Sequence, residues 1–210
     1  MIQILKKSYS DRKKEILQKE MEGITTLVES KMITLLNEME VENEKYSRDF
    51  ILALEQVFLE CIEFQKLKIK EPIEFVTIYF LRSSIVTGSF DFLIQLYDEN
   101  FLWDEVNVEG IWTPQWLLQE YLSTINEVKI KIKHDILGFY DSDIDFLNLE
   151  IGESFMRLML TFVNNQIEKI IELENFRKMK TNPKFKIVFG DIYGRLVTIY
   201  SNQSEKRGVG

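Results

Sequence analysis

The sequence predicts an α+β protein, predominantly helical, with about five to six helices packed on a small antiparallel sheet made of two β-hairpins, at about 90–108 and 185–200. Three observations carry this. Apolar residues recur in steps of three and four over long stretches, the period falls to two in two separate places, and the 210 residues include only three prolines and nine glycines. With so few breakers, most of the backbone belongs to regular elements.

The first helical region runs over about residues 9–67. Ser8 and Asp11 have the spacing of a helix start. Leu17, Met21, Ile24, Val28, Met32, Leu35 and Met39 then form one stripe, which resumes at Tyr46, Phe50, Ala53, Val57, Cys61 and Phe64. The stripe fits either one very long helix or two helices meeting within Glu40 to Lys45. Two are expected, because globular helices usually run about 8 to 20 residues. A single long arm would need a partner for its stripe, and a second copy of the chain would serve.

Pro72 opens the next segment, and Ile73 to Val86 is apolar almost all round, which predicts a central buried helix ended by Gly88. Phe90, Phe92, Ile94 and Leu96 then alternate with their neighbours, and Phe101 to Val108 can return beside them through Asp98-Glu99-Asn100. Thr113-Pro114 caps a helix reaching about Leu137, with Gly138 as its terminator. Another helix runs from Asp141 to about Met179 and is stopped by Asn182-Pro183. Phe185, Ile187 and Phe189 alternate in the second hairpin, whose return strand is Leu196 to Tyr200. Residues 1–200 read as one globular domain, and 201–210 as a flexible tail.

Composition limits function. The net charge of -8 opposes broad nucleic-acid binding, although Lys6, Lys7, Arg12, Lys13, Lys14 and Lys19 make the first twenty residues locally basic. One cysteine, Cys61, excludes an intrachain disulfide and fits a reducing compartment. There is no uncharged run long enough for a membrane span and no leader-like start, so a cytoplasmic protein is expected. The single histidine, His134, makes zinc sites with several His or Cys ligands implausible. Asp141, Asp143 and Asp145 imitate the start of a calcium loop. However, Phe146 stands where that loop needs Gly and Gly152 where it needs Glu, so helix capping explains the acids.

The densest stretch is Pro72 to Trp116, with ten of the 26 aromatic residues and all three tryptophans. From Ser83 to Val128 there are eight carboxylates and no Lys or Arg. Arg82, on an apolar stripe with Phe75, Tyr79 and Val86, calls for a partner such as Asp91, Asp98 or Asp104, since a lone buried charge is costly. Arg157 shares a face with Glu153 and Asn164, and partial exposure accounts for it. Arg82, Asp98, Glu99, Trp103 and Asp104 are the candidate ligand or partner-binding residues: aromatic faces attract cations and carboxylates reinforce that attraction. The competing interpretation places the aromatics in the core and the acids in water.

No phosphate loop, metalloprotease helix, nucleophile elbow or paired-cysteine motif occurs. No catalytic residue, metal ligand or cofactor is assigned. The expected function is a non-enzymatic protein-interaction or structural/regulatory module that self-associates. The alternative is a small-ligand protein or carboxylate enzyme, with or without a divalent metal, centred on the acidic aromatic hairpin. A helix-turn-helix regulator ranks last, for want of a Gly-containing turn between short basic helices.

Overall fold

A computed structural model describes residues 2–135, 141–192 and 194–202, and omits the side chains of 2–21, 86, 133–135 and 141–146. The chain opens with two helices, α1 (Ile2–Val41) and α2 (Asn43–Lys66), separated at Glu42 inside the expected junction. The helix starts upstream of Ser8, so the capping signal read there is not used as a start. Ile24, Val28, Leu35 and Met39 of α1, and Phe50, Leu54, Val57, Phe58 and Cys61 of α2, are buried in one core. These are largely the residues of the predicted stripe.

The segment after Pro72 departs from expectation. Ile73–Phe80 is strand β1, not a buried helix, and the helical piece is only α3 (Arg82–Thr87). An uninterrupted apolar run fits a strand buried on both faces as well as it fits an enclosed helix, and periodicity cannot separate them. β-branched and aromatic residues in IEFVTIYF favour the strand. Gly88 does close a helix as foreseen, with φ 74 at the C-cap of α3.

β2 (Phe92–Tyr97) and β3 (Glu109–Trp112) are antiparallel, so a first hairpin exists, but its return strand lies wholly beyond the expected Phe101–Val108. Residues 98–108 form a loop containing a 3-10 turn at Phe101–Trp103, in place of a three-residue connection. Helix α4 (Gln115–Asp135) follows as expected. Gly138, its anticipated terminator, lies outside the described residues.

The long helix expected to Met179 is broken into α5 (Asp141–Asn165), α6 (Ile167–Glu172) and α7 (Glu174–Lys178). Asn182-Pro183 lies within strand β4 (Thr181–Asp191), which pairs with β5 (Leu196–Ser201) as the second hairpin. Seven α-helices therefore occur among the described residues. Of the tail expected at 201–210, Ser201 belongs to β5 and 203–210 lie outside the described residues.

The five strands form one mixed sheet in the order β3-β2-β1-β4-β5, with β1 and β4 parallel and all other pairs antiparallel. This corrects the expected antiparallel sheet. The two hairpins do not pair with each other, because β1 lies between them and joins both.

The sheet is two-faced. By register, Val76, Ile78 and Phe80 share one face with Phe92, Ile94, Leu96, Ile187 and Phe189, and this face belongs to the helical core. Phe75, Thr77 and Tyr79 fall on the other face beside Tyr97, Gln95 and Leu93. There Thr77 Oγ1 donates to the Gln95 carbonyl at 3.1 Å, and the Tyr97 hydroxyl to Gln95 Oε1 at 2.6 Å. Gln65 connects the layers: its amide donates to Lys180 O at 2.9 Å and accepts from Lys180 N at 2.8 Å, holding the end of α2 against the start of β4.

Candidate interaction surface

The loop 98–108 leaves β2 at the end of the sheet where β1 begins. It contains four of the five residues selected from sequence: Asp98, Glu99, Trp103 and Asp104. Arg82 follows β1 at the opposite end, beyond Phe80, which pairs with Phe92. The six residues of β2 separate the two groups by about 20 Å at the usual rise per strand residue.

Arg82 is corrected in both burial and partners. Its side chain is 60% exposed and pairs with Asp191 (2.6 Å) and Glu153 (3.0 Å), not with Asp91, Asp98 or Asp104. Asp91 instead accepts from Thr113 Oγ1 at 2.5 Å and from Ser89 Oγ at 2.6 Å. Helical spacing placed Arg82 on an apolar stripe, and that stripe disappears once Ile73–Phe80 is a strand.

The buried charge of this fold is Lys70, which sequence reading missed. Its ammonium pairs with Asp104, and the two side chains are 1% and 3% exposed. Lys70 Nζ also donates to the Val106 carbonyl at 2.5 Å. Asp104 accepts in addition from the backbone N–H groups of Asp98 (2.8 Å) and Val106 (3.1 Å). A pair withdrawn from water requires this kind of complete partnering, because each ion has lost its hydration. The available signal was faint: one lysine among exposed neighbours in Leu67-Lys68-Ile69-Lys70-Glu71.

The loop is fixed by further contacts. Phe101 adopts φ 52, a left-handed conformation costly for a non-glycine residue, and is held there by Phe75 (ring centroids 4.9 Å) and Tyr97 (5.0 Å). Asp98 is buried and accepts from Asn100 N at 2.7 Å, while Glu99 is exposed.

The three tryptophans diverge. Trp112 is buried among Phe50, Phe92 and Phe162, and Trp116 packs on Tyr46 and Phe162. Trp103 is 87% exposed and Leu102 beside it 68%. Across the Lys70–Asp104 pair, Leu67 and Ile69 are exposed as well. Two loops stapled to each other thus present apolar side chains to solvent at one end of the sheet, with Glu71, Glu99, Glu105 and Lys68 as exposed charges among them.

This arrangement turns apolar side chains to solvent and its buried carboxylates inward. Asp98 and Asp104 spend their oxygens on the loop's own N–H groups and on Lys70, and none of the principal recesses is lined by the four loop residues. Among the described residues no group of three or more His, Cys, Asp or Glu side chains is placed to hold a metal ion. The side chains of His134, Asp141, Asp143 and Asp145 lie outside the description. Arg157 is exposed, as expected, and donates to Ser154 Oγ at 3.0 Å. No described helix is long and apolar enough to cross a membrane. Comparison with protein-family models, with curated proteins and with solved structures returns no match.

Proposed function

We propose that this protein is a non-enzymatic interaction module that self-associates, with the loop carrying Leu102 and Trp103 in one copy docking on the N-terminal helix of another. The single observation that carries the interaction reading is Trp103, a large apolar side chain left in solvent on a loop immobilised from both sides. Tryptophan is enriched at binding hot spots, and a loop already ordered loses little entropy on docking.

Two features support a second copy as the partner. Helix α1 has 40 residues and so a length of about 60 Å, against a diameter of about 43 Å for a globule of this chain length. The charges are also segregated along the chain, with Lys6, Lys7, Arg12, Lys13, Lys14 and Lys19 near its start and only carboxylates from Ser83 to Val128. An acidic aromatic loop meeting a basic helix gives complementary potentials and an association that weakens with salt.

Light scattering after size exclusion, at rising protein concentration and at low and high salt, tests the proposal. A mass above that of one chain is expected, reduced by salt and by Trp103→Ser with Leu102→Ser. A single-chain mass throughout, or an oligomer indifferent to both substitutions, would overturn it.

A further inference from the structure

At the other end of the sheet, beyond the carboxyl ends of the parallel pair β1 and β4, a recess of about 280 Å³ opens between α5 and the β4–β5 turn. Its apolar wall consists of Met156 and Leu160 from α5 with Phe189 and Val197 from the sheet. Its polar rim holds three guanidiniums, those of Arg82, Arg157 and Arg195, and two carboxylates, Glu153 and Asp191. Glu153, Met156, Arg157 and Leu160 occur at helical steps of three, one and three, so one face of α5 supplies wall and rim together.

The rim charges do not cancel in place. Arg82 binds both carboxylates, Asp191 through Nε at 2.6 Å and Glu153 through Nη2 at 3.0 Å. Among the described residues, the Arg157 side chain donates only to the neutral Ser154 hydroxyl at 3.0 Å, and Arg195 has no ion pair or side-chain hydrogen bond. The rim thus carries one positive charge in excess, with Arg157 and Arg195 outside the Arg82 ion pairs, at the edge of an apolar recess in a chain whose net charge is -8. Gly190 contributes to this placement: a Cβ there would collide with the Arg195 carbonyl oxygen, so only glycine lets the backbone at Arg195 lie so close to β4.

We infer that this recess is a binding site for a small organic oxyanion, with its apolar body against Met156, Leu160 and Phe189 and its charged group between Arg157 and Arg195. Guanidinium forks match the planar oxygens of a carboxylate and the oxygens of a phosphate ester, and pockets of this size pair an apolar lining with a few placed polar groups. The Arg82–Asp191–Glu153 cluster positions the rim by tying α3, β4 and α5 together.

Isothermal titration with benzoate, phenyl phosphate, inorganic phosphate and the uncharged benzyl alcohol tests the assignment and separates its two ligand chemistries. Saturable millimolar or tighter binding is expected for benzoate or phenyl phosphate, with weaker binding of inorganic phosphate and of benzyl alcohol. Whichever aromatic anion binds more tightly identifies the preferred head group. Arg157→Gln and Arg195→Gln should each weaken binding about tenfold, the loss of one charge-assisted contact. Both side chains are exposed, so the melting temperature should be unchanged. Val197→Trp, which fills the recess and leaves the arginines intact, should abolish binding. Failure of both aromatic anions to bind, or binding unchanged in the double arginine variant or in Val197→Trp, would overturn the inference. It is independent of self-association, because the titration reads the same whether the protein is one copy or several.

Discussion

Lys70 and Asp104, 34 residues apart, are paired out of solvent and join the loop before β1 to the loop after β2. This pair decides the shape of the surface that carries Trp103. Removing one member leaves the other charged and buried, at a cost of about 3 to 5 kcal/mol. Lys70→Met should therefore destabilise the protein by about that amount in denaturant unfolding, whereas Lys70→Met combined with Asp104→Leu should recover much of the loss. Equal destabilisation in the single and double variants would show that the pair is not the determinant.

Trp103 and Trp112 should respond in opposite ways to the same substitution. Trp103→Ala removes an exposed side chain and should change stability by less than about 0.5 kcal/mol while reducing association. Trp112→Ala opens a void among Phe50, Phe92 and Phe162 and should cost about 3 to 5 kcal/mol. Urea midpoints of the two variants, measured side by side, check this contrast.

Gln65 joins helix and sheet through the backbone of Lys180. Gln65→Ala leaves that N–H and carbonyl without their side-chain partner, with an expected loss of about 1 to 3 kcal/mol. Hydrogen exchange should show the Lys180 amide losing protection more than amides in the centre of β1.

Alkaline pH should destabilise the fold. Burial pushes the Cys61 thiol up from 9.0 to about 12 and the Tyr121 hydroxyl up from 10.0 to about 12. In both cases the folded state holds the proton more tightly than the unfolded chain. The stability linked to these groups is complete below their ordinary values, and it declines from about pH 9 as the pH climbs toward 12. Denaturant midpoints should fall between about pH 8 and pH 11, and iodoacetamide should label Cys61 only after unfolding. Rapid labelling of the native protein at about pH 8 would contradict the burial of this thiol.

Several elements could be read directly from residue order. The Ile24–Val28–Leu35–Met39 stripe, the break near Glu42, the left-handed Gly88, helix α4 and the Phe185–Ile187–Phe189 alternation are local patterns, and each was legible because its cause lies within a few residues. The site was legible only in part. Four of the candidate residues share one loop because they are near neighbours in sequence, but nothing local showed that Trp103 would stay outside while Trp112 went in.

By itself the sequence determined the α+β class, the long N-terminal helices, the second hairpin and the crowding of acids and aromatics in the middle of the chain. These follow from periodicity, turn chemistry and charge counting, all short-range properties. Only the tertiary structure decided that Ile73–Phe80 is a central strand, that it unites the hairpins in a mixed sheet, and that Lys70 rather than Arg82 is the buried cation. An apolar run is equally content inside a helix or between two strands, and a lysine is charged wherever it stands. Which one is enclosed depends on the partners that distant segments bring to it, here Asp104 for Lys70, and β2 and β4 for β1.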